Sequence, residues 1–144
     1  MSRVAQALAC FSGGFACSQA VLTVFCERYG LDETTALRIA TGFAGGMKCA
    51  EVCGAVSGAI MVIGLKHGHV DAGDRESRQA AGNRVVEFLD AFRERNGYVA
   101  CRDLLGCDIT TPEGRQAATT KNLFTTRCKD FVADAVQILE QSGY

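Results

Sequence analysis

Cysteine is the residue with the most chemistry to offer in this chain, which carries eight among 144 residues. A thiolate is at once a nucleophile, a redox group and a ligand for soft metals. Cys17, Cys53 and Cys128 each fall at helical spacing among apolar neighbours, on three separate segments, and Cys101 opens a short element after Gly97-Tyr98. Brought to one point, these four thiolates would form an iron–sulfur or zinc site. Cys49 lies four residues before Cys53, an offset of about 40° on a helix, so it is a secondary candidate for a shared site or a thiol pair. Cys107 is a further secondary candidate. Cys10 and Cys26 read as small buried hydrophobes, a common use of free cysteine.

Three chemistries stay open. The chain has no CxxC pair, no CxxCH and no ferredoxin-like run of closely spaced cysteines, so tertiary structure must assemble any site. An iron–sulfur cluster for electron transfer or redox sensing comes first, because a Gly- and Ala-rich apolar core leaves room for inorganic sulfide. Thiol–disulfide exchange comes second, although two cysteines on one regular helix are poorly placed for a disulfide. Structural zinc uses the same four sulfurs without redox chemistry. The remaining polar residues add little. His67 and His69 flank a glycine at a helix exit, where solvation or carbonyl capping is the usual role. Lys48 and Glu51 either tune the site or face water. The segment Gly42–Gly46 lacks the Lys-Ser/Thr and preceding strand of a phosphate loop and reads as a tight turn.

The elements that must position these thiols are helices. Cys17, Ala20, Val21, Val24 and Phe25 form one apolar face, ending near Gly30. Asp32 or Thr34 can cap a second helix that stops at Gly42–Gly46. A third, apolar on nearly every side, is expected from Met47 to Leu65 at the centre of the fold. Its glycines and alanines fit either close helix packing or a cofactor. A charged surface helix follows Asp74, and Thr111-Pro112-Glu113 carries a helix-start signature inside an otherwise irregular loop, Gly106 to Asn122. Phe124, Cys128, Phe131, Val132, Ala135 and Leu139 make the stripe of a last helix. No alternating strand pattern competes. The expectation is one all-α domain over 1–144, a bundle of about five to six helices.

Composition excludes several function classes. Fifteen basic residues nearly balance sixteen acidic ones and form no stripe, so no nucleic-acid footprint is present. The longest uncharged run, Val52 to Leu65, falls short of the roughly 20 residues a membrane helix needs. Polar breaks in Met1–Phe25 argue against a secretory signal, which points to a cytoplasmic protein with reduced thiols. The same apolar helices could support a homodimer. A redox partner protein is implied by electron transfer but not identified.

The stretch Cys53-Gly54-Ala55-Val56-Ser57-Gly58, a CGAxxG motif, resembles the signature of the C_GCAxxG_C_C family of redox-active proteins. The resemblance extends to Gly14-Phe-Ala-Cys17-Ser-Gln-Ala20, Gly42–Gly46, Ile60 to Gly68 and Cys101-Arg-Asp-Leu-Leu-Gly106. By that resemblance the four defining cysteines are Cys17, Cys53, Cys101 and Cys128, the set reached above, and the function implied is redox activity or metal binding. A similar region in split-Soret cytochromes implies an iron–sulfur cluster beside haems. Haem does not carry over, because this chain has no CxxCH.

Overall fold

The computed structural model describes residues 1–144 and contains eight α-helices and no named strand. They are α1 (Arg3–Ser12), α2 (Cys17–Cys26), α3 (Glu33–Ala40), α4 (Gly54–His67), α5 (Arg75–Asn96), α6 (Cys101–Leu105), α7 (Pro112–Thr120) and α8 (Leu123–Gln141). The all-α expectation is met, but the count exceeds five or six. The excess comes from α1, hidden in a segment read only for its export signal, and from α6 and α7, too short to show periodicity. No helix is long and apolar enough to cross a membrane.

Side chains start several helices by accepting from otherwise orphaned amides. Asp32 accepts from Thr35 N at 2.9 Å, Asp74 from Ser77 N at 3.0 Å and Thr111 from Gly114 N at 3.0 Å. The Thr111-Pro112-Glu113 signal therefore opens a genuine helix, α7, inside the stretch expected to be irregular. Gly97, at φ 85°, ends α5 in the left-handed conformation that glycine adopts without steric cost.

The largest departure concerns the central helix, which begins at Gly54 rather than Met47. Between Gly45 and Ala50 the backbone makes a left-handed turn, with φ near +60° at Gly45, Gly46, Met47, Lys48 and Ala50. Extended backbone follows, in which Val52 forms an isolated antiparallel bridge with Ala100. Cys53 N donates to Val99 O at 2.8 Å, and Cys101 N donates to Glu51 O at 2.6 Å. This bridge ties the start of α4 to the start of α6, bringing the Cys53 and Cys101 regions together.

Helix α4 is central, as expected: Ala55, Val56, Ala59, Val62 and Ile63 are buried, and it packs on α2, α5 and α8. Its tightest neighbour is α2. A β-carbon at Gly58 would lie 2.7 Å from Ser18 O, and one at Gly54 would overlap the Cys17 sulfur. Close helix approach thus accounts for both glycines. Ser18, buried at this contact, donates its hydroxyl to Ala40 O at 2.8 Å and locks α2 to the end of α3.

Candidate functional site

Cys17, Cys53, Cys101 and Cys128 all line one apolar cavity of about 160 Å³, closed by Phe11, Ala44, Leu104, Ile109, Phe124 and Phe131. Each reaches it from a different helix. Cys17 is the first residue of α2, Cys53 caps α4, Cys101 is the first residue of α6, and Cys128 lies within α8. Three of these thiols therefore sit at helix starts rather than on mid-helix core faces.

The four thiols are not chemically equivalent. The neighbouring Cys53 thiol is the main reason that the Cys17 pKa falls from 9.0 to about 7. Burial opposes the fall, while the amides of Ser18, Gly45 and Cys17 itself assist it. A thiolate at a helix start is further favoured by the positive end of the helix dipole. Cys53 is held well above the usual thiol range, first by the Cys17 sulfur beside it and second by burial. The first proton of the pair therefore leaves from Cys17 near neutral pH, while Cys53 keeps its own. Cys101 and Cys128 are pushed up to about 11 and about 12, mainly by burial, so they are neutral thiols.

Several residues without notable chemistry position the pair. Gln19 accepts from Ala16 N at 2.8 Å and donates to Leu37 O at 3.0 Å and Thr41 Oγ1 at 3.1 Å, fixing the start of α2 against the end of α3. Arg102 donates to Ala50 O and Cys49 O, each at 3.1 Å, and pairs with Glu51, clamping the left-handed turn that carries Gly45. Sequence reasoning missed both roles. Gln19 stands at the third position of a helix, where its side chain can reach back to an amide, and that was the one legible signal. Arg102 carried none, since its partners lie about fifty residues away in sequence.

The secondary candidates fare differently. The expectation that Cys49 and Cys53 share a helical face fails, because the left-handed turn precedes α4. Cys49 is exposed and donates to Gly46 O at 3.3 Å. Cys107 is half-buried, near Cys101 and Cys128 electrostatically, yet outside the cavity wall. Cys10 meets Thr23 Oγ1 at 3.8 Å and Cys26 is buried, both in structural roles. His67 stacks edge-on against Tyr144 with ring centroids 5.5 Å apart, and neither it nor His69 lines the cavity. Glu51 is held by Arg102, while Lys48 is exposed and unpaired.

By donor type, four thiols suit a sulfur-ligated metal centre. A single ion requires sulfurs within about 2.3 Å of one point. No three Cys, His, Asp or Glu side chains converge in that way. The four thiols thus offer the donor type that zinc or an iron–sulfur cluster takes, without the convergence on one point that a single ion requires.

No curated protein and no solved structure matches the chain. One family model does, under the description "Putative redox-active protein (C_GCAxxG_C_C)", over residues 15–142, a span that contains all four cavity cysteines. The chain belongs to the C_GCAxxG_C_C family of redox-active proteins.

Proposed function

We propose that this protein is a thiol–disulfide redox protein in which Cys17 is the nucleophile and Cys53 the resolving thiol. The observation that carries this reading is the placement of Cys17, first in α2, and Cys53, capping α4, on the wall of one apolar cavity where those two helices pack. The ionised Cys17 sulfur attacks one sulfur of a substrate disulfide, forming a mixed disulfide and releasing one thiolate. Cys53 then attacks the Cys17 sulfur. A Cys17–Cys53 disulfide forms, the second substrate thiolate leaves, and the Cys53 proton ends on a released thiolate. The substrate disulfide gains two electrons and the protein pair loses them. Cys101 and Cys128 border this site as neutral thiols and take no part in the exchange.

The test is to titrate reduced protein with a small disulfide and map the products by mass spectrometry. A loss of two hydrogen atoms per chain, with a peptide linking Cys17 to Cys53, is the expected product. Stable mixed disulfides spread over several cysteines, without that linkage, would overturn the assignment.

A second reading is favoured by a separate observation, namely that all four family cysteines line the same cavity. In that reading Cys17, Cys53, Cys101 and Cys128 hold an iron–sulfur cluster, which would supply one-electron transfer. Purification without air, followed by iron, sulfide and zinc counts on the wild type and on the four single Ala variants, separates the readings. Sulfide and iron in near-equal amounts, lost in each variant, would put the cluster first. Stoichiometric zinc without colour would make the site structural.

A further inference from the structure

Beside the thiol cavity lies a second, polar crevice of about 320 Å³, lined by Gly45, Lys48, Ile109, Thr110 and Arg115. Gly45 and Ile109 border both spaces. The Ile109 Cδ1 atom would stand 3.4 Å from a β-carbon at Gly45, so these two residues form the low wall between them. Because Gly45 has no side chain, nothing but Ile109 raises that wall.

The crevice is cationic. Lys48 and Arg115 are both exposed, and neither belongs to any of the four ion pairs, which use Arg84, Arg93, Arg95 and Arg102. No acid lines the crevice: Glu51 is held by Arg102, Asp108 accepts from the Thr110 amide and hydroxyl at 2.9 and 2.6 Å, and Glu113, two residues from Arg115, lies outside the lining. Lys48 is not placed by a flexible loop, since Arg102 clamps the carbonyls of Cys49 and Ala50 that follow it. Two cations that form no ion pair therefore line a crevice that shares the Gly45–Ile109 wall with the cavity of Cys17 and Cys53.

We propose that the two spaces form one binding site for a small disulfide carrying carboxylates. Its charged ends lie against Lys48 and Arg115, and its sulfurs pass over the Gly45–Ile109 wall to Cys17. This inference rests on the thiol–disulfide reading and adds the substrate class to it. The cations choose the substrate by charge and leave the exchange itself to the thiols.

The experiment uses three probes of similar size: 3,3′-dithiodipropionate (dianionic), bis(2-hydroxyethyl) disulfide (neutral) and cystamine (dicationic). The rate at which each oxidises the reduced full-length protein is measured at low ionic strength, for the wild type and for a Lys48→Gln/Arg115→Gln double variant. The quantity compared is the dianion-to-neutral rate ratio, which cancels any general effect of the substitutions on the thiols. Two exposed charge contacts correspond to a fall in that ratio of about 3- to 20-fold in the double variant. The dication-to-neutral ratio should rise, and both changes should shrink in 0.5 M salt. Reaction with all three probes and ratios indifferent to the substitutions would overturn the cationic subsite while leaving the thiol reading intact. A wild-type protein inert to every probe would overturn both.

Discussion

Replacing Cys53 should change how Cys17 reacts in a way that reverses with pH. In the wild type, a Cys17 pKa of about 7 leaves about half of the sulfur ionised at pH 7. The Cys53 thiol is the leading cause of the lowered value, so Cys53→Ala removes that donor while the opposing burial remains. The Cys17 midpoint then returns to the ordinary 9.0 or above, where about 1 % is ionised at pH 7, a loss of about 50-fold. A more basic thiolate is also a better nucleophile. With a Brønsted slope of about 0.4–0.5, two pKa units return about 6- to 10-fold. The net expectation is a rate at pH 7 about 6-fold below wild type, curves that cross near pH 8, and a variant several-fold faster at pH 10. The assay is the rate of Cys17 modification by bis(2-hydroxyethyl) disulfide, followed by peptide mass spectrometry from pH 5 to 10.5. Cys53→Ser keeps a donor, so its midpoint should remain near the wild-type value while the protein disulfide can no longer form. A Cys53→Ala profile that keeps its midpoint near 7 would refute the reasoning, by assigning the lowered pKa to the helix amides instead.

Gly54→Ala drives a methyl into the Cys17 sulfur and against Ser18 N and Ala44 Cα, and should cost about 1–3 kcal/mol in urea unfolding. Gly82→Ala, in open space on the exposed face of α5, should instead stabilise by about 1 kcal/mol. Arg102→Gln removes the clamp on the left-handed turn, so hydrogen exchange at residues 46–51 should speed up and the Cys17 midpoint should rise as the Gly45 amide drifts. Stability should also depend on pH through the thiols. Cys17, lowered on folding, stabilises above the unfolded value of 9.0, and that contribution is lost as pH falls through about 7. Cys101 and Cys128, raised on folding, stabilise below 9.0, and their contribution is lost as pH climbs toward about 11 and about 12. Urea midpoints should therefore rise from pH 7 to near 9 and fall beyond it. Cys17→Ala should abolish the rising limb.

The chemistry of the site was more legible in the sequence than its geometry. Residue type alone singled out cysteine, apolar periodicity placed α2, α5 and α8, and capping residues marked the starts of α3 and α7, because periodicity and capping are local. Convergence of Cys17, Cys53, Cys101 and Cys128 could be named but not located, since it depends on the Val52–Ala100 bridge and on the packing of α2 against α4. The run from Met47 misled for a physical reason. Its residues are good helix formers, and nothing local in Met47-Lys48-Cys49-Ala50 announces positive φ. Only Gly45-Gly46 hinted at a turn, and tertiary contacts through Arg102 hold the non-glycine residues where propensity would not put them. The cationic crevice escaped for the same reason, as Lys48 and Arg115 are far apart along the chain.

The left-handed turn explains why one cysteine of four is activated. A helix start alone is insufficient: Cys101 begins a helix and still sits near 11, and Cys53 caps one, with the nearby amides of Ala55 and Val56 pulling its pKa down, and is nonetheless raised. What separates Cys17 is the influence of groups outside its helix, the Cys53 thiol and the Gly45 amide, which lower its pKa. Both depend on the turn, which delivers the Gly45 amide directly and ends where Cys53 enters α4. Holding Met47, Lys48 and Ala50 at positive φ costs about 1 kcal/mol or more each. A continuous helix from Met47 would avoid that cost. It would also carry Cys53 mid-helix, without its cap position, and leave Gly45 without a defined approach to Cys17. The strain is thus spent on bringing the Cys53 thiol and the Gly45 amide near a single sulfur, and relieving it should return Cys17 to the unreactive state of its neighbours.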